Sequence, residues 1–191
     1  MFIKEADARR LFKKAYKGAG LRIGNDGKGI YLTGRTWYMY VFRENIPKGI
    51  LGSIISLTGA LPEEGEQWIC SKDECQEEIY ETGIGKDIYR RALEAQAEGK
   101  DAVPANMVLF DDEGRPYHVY ASRDGLQLVP EEFKAMCSAS NCEENEDAQG
   151  CFTGVGNWIY WLSSHMAFAV SPYTVGGLED QLREIQEAQI V

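Results

Sequence analysis

Four of the five cysteines in this chain of 191 residues fall into two C-x4-C pairs, Cys70-Ser-Lys-Asp-Glu-Cys75 and Cys137-Ser-Ala-Ser-Asn-Cys142. Zinc takes four deprotonated sulfur or imidazole ligands in a tetrahedron, and a turn joining closely spaced cysteines supplies two at a time. Cys70, Cys75, Cys137 and Cys142 therefore form a candidate zinc set, with Cys151 as a fifth candidate ligand. A shared site would staple together segments more than sixty residues apart. The same spacing also suits two cysteines facing each other across a four-residue hairpin turn. The expectation is accordingly that no cofactor is bound and that these cysteines are packing residues. An odd count, with no export signal at the start of the sequence, speaks against a full disulfide framework.

Other chemistry is sparser. His118 and His165 each sit inside an apparent hairpin, where a single histidine is ordinarily a packing or surface residue. The glycine run from Gly18 to Gly29 follows a helical stretch, whereas a dinucleotide site needs strand, loop and helix in that order. Gly154-Val-Gly-Asn fails the same test because a strand follows it, and neither a P-loop nor G-x-S-x-G occurs. No residue is assigned a catalytic role. A Cys–His pair brought together in space, or a zinc site, defines the enzyme alternative.

Charge is the stronger signal. Residues 1–50 hold 11 Lys and Arg against 4 Asp and Glu, a balance of +7; the rest carries 9 against 26, a balance of −17 within the total of −10. Arg9, Arg10, Lys13, Lys14 and Lys17 lie opposite the apolar face Ala8, Leu11, Phe12 and Ala15 of a helix read over 4–17. Five cations on one helix define a candidate nucleic-acid contact. Against it stand rows of carboxylates: Glu63, Glu64 and Glu66; Asp73, Glu74, Glu77 and Glu78; Glu143, Glu144, Glu146 and Asp147. Spaced along exposed hairpins and loops, such rows mimic the phosphates of a DNA strand and would meet the basic groove of a nucleic-acid enzyme.

The elements that carry these residues read as an α+β protein. "LRIGNDGKGIYLTG" predicts a strand, a tight Asn-Asp-Gly turn and a second strand, and "RTWYMYVF" a third. A helix follows Pro47 and closes at Gly59. Trp68-Ile69-Cys70 and Ile79-Tyr80 read as arms of a hairpin, 86–98 as a helix, and "NMVLFDDEGRPYHVYAS" as a second hairpin. A short helix begins near Pro130, "CSASNCEENEDAQGC" reads as an acidic loop, and a hairpin over 158–170 leads to a last helix with Leu178, Leu182 and Ile185 inward. Offsets of 129 (Ile30 onto Ile159) and 87 (Gly27 onto Gly114) align these units with one another, which suggests repeated hairpin–helix units. The expected architecture is one compact domain over 1–191, antiparallel hairpins packed on at least three helices; the alternative is two subdomains, 1–100 and 101–191. No apolar run reaches the roughly 18 residues of a membrane span, so no membrane association is expected, and a cytoplasmic protein is the default.

The first third, "EADARRLFKKAYKGAGLRIGNDGKGIYLTGRTWYMYVFRENIPKGILGSIISLTGALPEEGE", resembles small accessory proteins carried by phages and mobile elements of bacteria. That group includes anti-CRISPR proteins, which block Cas nucleases by binding them. The resemblance implies a binding protein acting inside a bacterial cell and transfers no functional residue. The expected function is thus a non-enzymatic inhibitor or modulator of a nucleic-acid-processing enzyme such as a Cas nuclease. A DNA-binding accessory protein using the basic helix is the alternative.

Overall fold

The computed structural model describes residues 1–77, 87–123, 125–138, 140, 142, 148–171 and 177–188. It opens with helix α1 (Glu5–Lys17) and strands β1 (Leu21–Asn25), β2 (Gly29–Thr33) and β3 (Trp37–Phe42), then α2 (Lys48–Thr58), β4 (Gln67–Cys70) and β5 (Cys75–Glu77). Helix α3 (Ile88–Ala97) leads into β6 (Val103–Phe110), β7 (Pro116–Ser122), β8 (Gly125–Pro130) and α4 (Glu131–Met136). The chain closes with β9 (Gln149–Thr153), β10 (Ile159–Leu162), β11 (Met166–Val170) and α5 (Leu178–Ala188). Helices and antiparallel sheets make this a mixed α+β protein.

Local chemistry explains several of these boundaries. Glu5 and Asp7 sit in the first turn of α1, and Lys14 and Lys17 in its last, each complementing the partial charge of that helix end. The Gly18 amide caps α1 by donating to the carbonyls of Ala15 and Lys14. Gly59 ends α2 with φ at +82°, a conformation that favours glycine. Between β1 and β2, the Asp26 Oδ1 accepts from the amides of Lys28 (3.0 Å) and Gly29 (2.7 Å), closing the turn that the Asn-Asp-Gly sequence predicts.

Eight strands form one antiparallel sheet in the order β5-β4-β1-β2-β3-β11-β10-β9, and β6-β7-β8 form a second. Strands from both the first and the second half of the chain thus share the larger sheet. Both of its faces are covered at the centre, so β2, β10 and β11 are buried at every position. One face holds Ile23, Ile30, Leu32, Met39, Val41 and Phe168 in a core with Leu11 and Phe12 of α1, Ile50 and Ile54 of α2, and Phe133 and Met136 of α4. On the other face, Tyr31, Tyr40, Tyr160, Leu162, Ala167 and Ala169 cluster with Ile88, Ala92 and Ala95 of α3. The smaller sheet packs Tyr117, Val119 and Leu128 against Leu178 and Leu182 of α5.

A three-stranded meander runs into a helix three times: β1–β3 into α2, β6–β8 into α4, and β9–β11 into α5. The 129-residue offset carries Gly27 onto Gly156 and the 87-residue offset carries it onto Gly114. All three have positive φ, at +83°, +76° and +73°. Met39 pairs directly with Phe168, the residue 129 positions later, while Tyr38 pairs with Ala169 and Tyr40 with Ala167. The first and last meanders therefore meet edge to edge about a local two-fold axis. They differ in what lies on them. Alanines on β11, facing Ala92 and Ala95, let α3 approach, where β3 carries tyrosines at the related positions.

Candidate functional site

Six of the eleven candidate acidic residues lie along the β4–β5 hairpin at one edge of the large sheet and in the loop that leads into it. The connection from α2 to β4 is fixed to the β1–β2 turn by Asn25, whose Nδ2 donates to the Pro62 carbonyl at 3.0 Å and whose carbonyl accepts from the Gly65 amide at 2.8 Å. Within that loop the Glu66 Oε2 accepts from the Glu63 amide at 2.8 Å. Glu63 and Glu64 are exposed and Glu66 is half-buried. The chain then runs through β4 to a turn closed by the Ser71 amide donating to the Glu74 carbonyl at 2.8 Å, and returns as β5. Asp73, Glu74 and Glu77 are exposed on that hairpin. Among the described residues, none of these six carboxylates pairs with a cation. Glu78, Glu143, Glu144, Glu146 and Asp147 lie outside the described residues.

The basic helix is placed differently. Arg9 pairs with Glu5 at 2.8 Å, Arg10 with Asp7 at 2.9 Å, and Lys14 with Glu132 of α4 at 2.7 Å. Lys13 and Lys17 are exposed. Three of the five candidate phosphate contacts are thus already opposite a carboxylate of the same chain.

The cysteines divide into two groups. Cys70 and Cys75 face each other across β4 and β5, with 4.0 Å between their Cα atoms, and are joined in a disulfide. Cys137, at the end of α4, lies in the main core, and Cys142 and Cys151 pack against that core. Among the described residues, no three His, Cys, Asp or Glu side chains are placed to hold a metal ion. Two of the four sulfurs of the candidate zinc set are instead bonded to each other.

Two of the three remaining thiols, Cys137 and Cys151, are poorly suited to nucleophilic attack. Burial, reinforced by Cys142 and Cys151 nearby, pushes the Cys137 thiol far up from its ordinary value. Cys151 is pushed up to about 12, again by burial, and its sulfur donates to the Ala102 carbonyl at 2.9 Å. Neither histidine is a base beside a thiolate. His118 contacts the Glu131 carboxylate, and His165 sits in the β10–β11 turn beside Ser164. The thiols of Cys137 and Cys151 stay protonated at neutral pH, so they are not activated.

Among the described residues, cavities that indent the surface include the following three. One of about 200 Å³ lies between α3 and Tyr160, lined by Arg90, Arg91, Glu94 and Glu98. Another of about 260 Å³ lies between α1 and the β2–β3 turn, with Leu11, Trp37 and Phe133 on its floor and Lys14, Arg35 and Glu132 at its rim. The third, about 430 Å³, opens beside the acidic loop at Glu63 and Glu64. No histidine or cysteine lines any of the three.

No described helix is long and apolar enough to cross a membrane. Searched against protein families and against curated proteins, the chain matches no family model and no curated protein. Sequence reasoning did not find the Cys70–Cys75 bond as a bond, although its signal, two cysteines flanking a four-residue turn, is present. The Tyr40 hydroxyl, which donates to both Asp26 oxygens (3.1 and 3.3 Å), left no such signal, because 14 residues separate the partners.

Proposed function

We propose that this chain is a binding protein without catalytic activity. It presents an acidic sheet edge to the basic groove of a nucleic-acid-processing enzyme, of which a Cas nuclease is one example, and inhibits or modulates it in the cytoplasm. One observation carries the reading: Glu63, Glu64, Glu66, Asp73, Glu74 and Glu77 lie along one edge of the large sheet and the loop leading into it, and have no cation partner among the described residues. Unneutralised carboxylates placed close together create a field that steers a basic partner and weakens as salt screens it. The ion pairs on α1 count against direct DNA binding, since phosphate would have to displace Glu5, Asp7 and Glu132.

The test is affinity capture from bacterial lysate with the natural chain and with a variant carrying Glu63→Gln, Glu64→Gln, Asp73→Asn, Glu74→Gln and Glu77→Gln. The expected result is a nucleic-acid enzyme held by the natural chain, released by salt and by competing duplex DNA, and lost from the variant. Its activity on DNA should fall as the natural chain is added. Equal capture by both proteins, or a gel shift in which the chain itself retains duplex DNA, would overturn the reading.

A further inference from the structure

We propose that the Cys70–Cys75 disulfide is a reversible redox latch that holds strand β5, and with it part of the acidic edge, onto the sheet. Among the described residues β5 comprises Cys75–Glu77, and all three are exposed, so none of these side chains is buried to keep it in place. Among the described residues its pairs with β4 beyond Cys75 are Gln76 opposite Ile69 and Glu77 opposite Trp68. An outer strand whose described side chains are all exposed gains little from burial to hold it on the sheet. The disulfide supplies a tie. It does little for the protein as a whole, because the loop it closes contains only the four residues 71–74 and the entropic gain of a cross-link grows with loop length.

Reactivity points the same way. Cys75 is an exposed cysteine on an outer strand, whereas Cys70 is fully buried. Cys137 lies in the core and Cys151, half-buried, packs against it, both as protonated thiols. Thiol–disulfide exchange therefore has an accessible entry point at Cys75. A dithiol reductant supplies both electrons. One of its thiolates attacks the Cys75 sulfur, the Cys70–Cys75 bond breaks, and Cys70 leaves as a thiolate that takes a proton from water. The second thiol of the reductant, giving up its proton, attacks the mixed disulfide, releases Cys75 and leaves the reductant as its own disulfide. Cys70 then remains in the core as an ordinary buried thiol, while Cys75 and the rest of β5 are free to leave the edge.

Hydrogen exchange on the full chain tests the latch, with dithiothreitol as the reductant. Reduction should add one thiol that reacts under native conditions, Cys75, and a second, Cys70, that reacts only after denaturation. It should also raise exchange of the β5 amides that pair with β4 by at least about tenfold, the loss of marginal strand pairing, while Ile23 and Met39 keep their rates. Cys75→Ser, which removes the exposed partner and leaves the core intact, should reproduce the reduced pattern without a reductant. Unchanged β5 exchange would overturn the proposal. So would a general loss of protection through β1–β3, or five free thiols in protein oxidised under air. A second arm, resting on the acidic-edge reading, follows binding of a polylysine peptide, which should weaken on reduction. If exchange responds and polylysine binding does not, the latch stands and the acidic edge is not the binding surface.

Discussion

Tyr31 lies across Gly24. The two are directly paired between β2 and β1, and a Cβ at position 24 would overlap the Tyr31 ring. The same device recurs where Tyr40 crosses Gly29 and Tyr160 crosses Gly154. In each case an aromatic ring fills the space that a missing side chain leaves on the sheet, which shields the backbone and pins the register. Gly24→Ala should therefore destabilise the protein by about 1–3 kcal/mol, the usual cost of overpacking. Urea denaturation measures it. The same substitution in a Tyr31→Leu background should cost less, because the clash is with the ring.

Asp26 joins the first turn to the third strand. Its carboxylate closes the β1–β2 turn and also receives the Tyr40 hydroxyl. Asp26→Ala leaves two amides and a phenol without their acceptor, at a cost of about 2 kcal/mol. Tyr40→Phe should cost less, and a double-mutant cycle between them should show coupling, whereas independent effects would contradict the shared hydrogen bond.

Ala169 is fully buried where α3 crosses β11, and Ala92 of α3 is equally buried. Ala169→Leu forces the helix away and should destabilise by about 1–3 kcal/mol. It should accelerate hydrogen exchange in α3 while leaving α1 unaffected, because α1 packs on the opposite face.

The alkaline limb of stability follows from the buried thiols. Burial raises both Cys137 and Cys151, the latter from 9.0 to about 12, so the fold holds a proton that the unfolded chain gives up. The contribution of Cys151 is fully present below pH 9.0 and is lost as the pH rises through its folded value of about 12, and Cys137 acts in the same direction. Buried Tyr120 and Tyr160, also raised mainly by burial, act in the same direction. Urea midpoints should fall above roughly pH 9, and Cys151→Ala should flatten that fall. Cys70 and Cys75, being bonded, do not contribute.

Much of the local structure was legible. The Asn25-Asp26-Gly27 turn, the Gly59 stop and the aromatic strand at Trp37 depend on neighbours within a few residues, so their chemistry is written locally. Offsets of 87 and 129 lead to three turn glycines of the same hand. Strand β8 escaped because "GLQLVP" becomes increasingly buried towards Pro130, where both faces are covered, and shows no clean alternation. The polar stretch ending at Cys151 reads as a loop, yet its last residues form the start of β9, since sheet pairing with β10 outweighs weak strand propensity. The acidic edge was visible as composition. That six of its residues lie along β4, β5 and the loop before them was not, because this needs β4 and β5 on the outside of a sheet whose order depends on distant pairings.

The union of β3 with β11 carries a cost during synthesis. Trp37–Phe42 is an interior strand only once residues 166–170 have left the ribosome and docked beside it. Until then its unpaired side is an open edge of aromatic and β-branched residues, the kind of template that recruits other chains. A partner 129 residues away also makes loop closure slow compared with the local meanders. A nascent chain halted before β11 should therefore be prone to aggregate and dependent on chaperones, even with its first meander already formed.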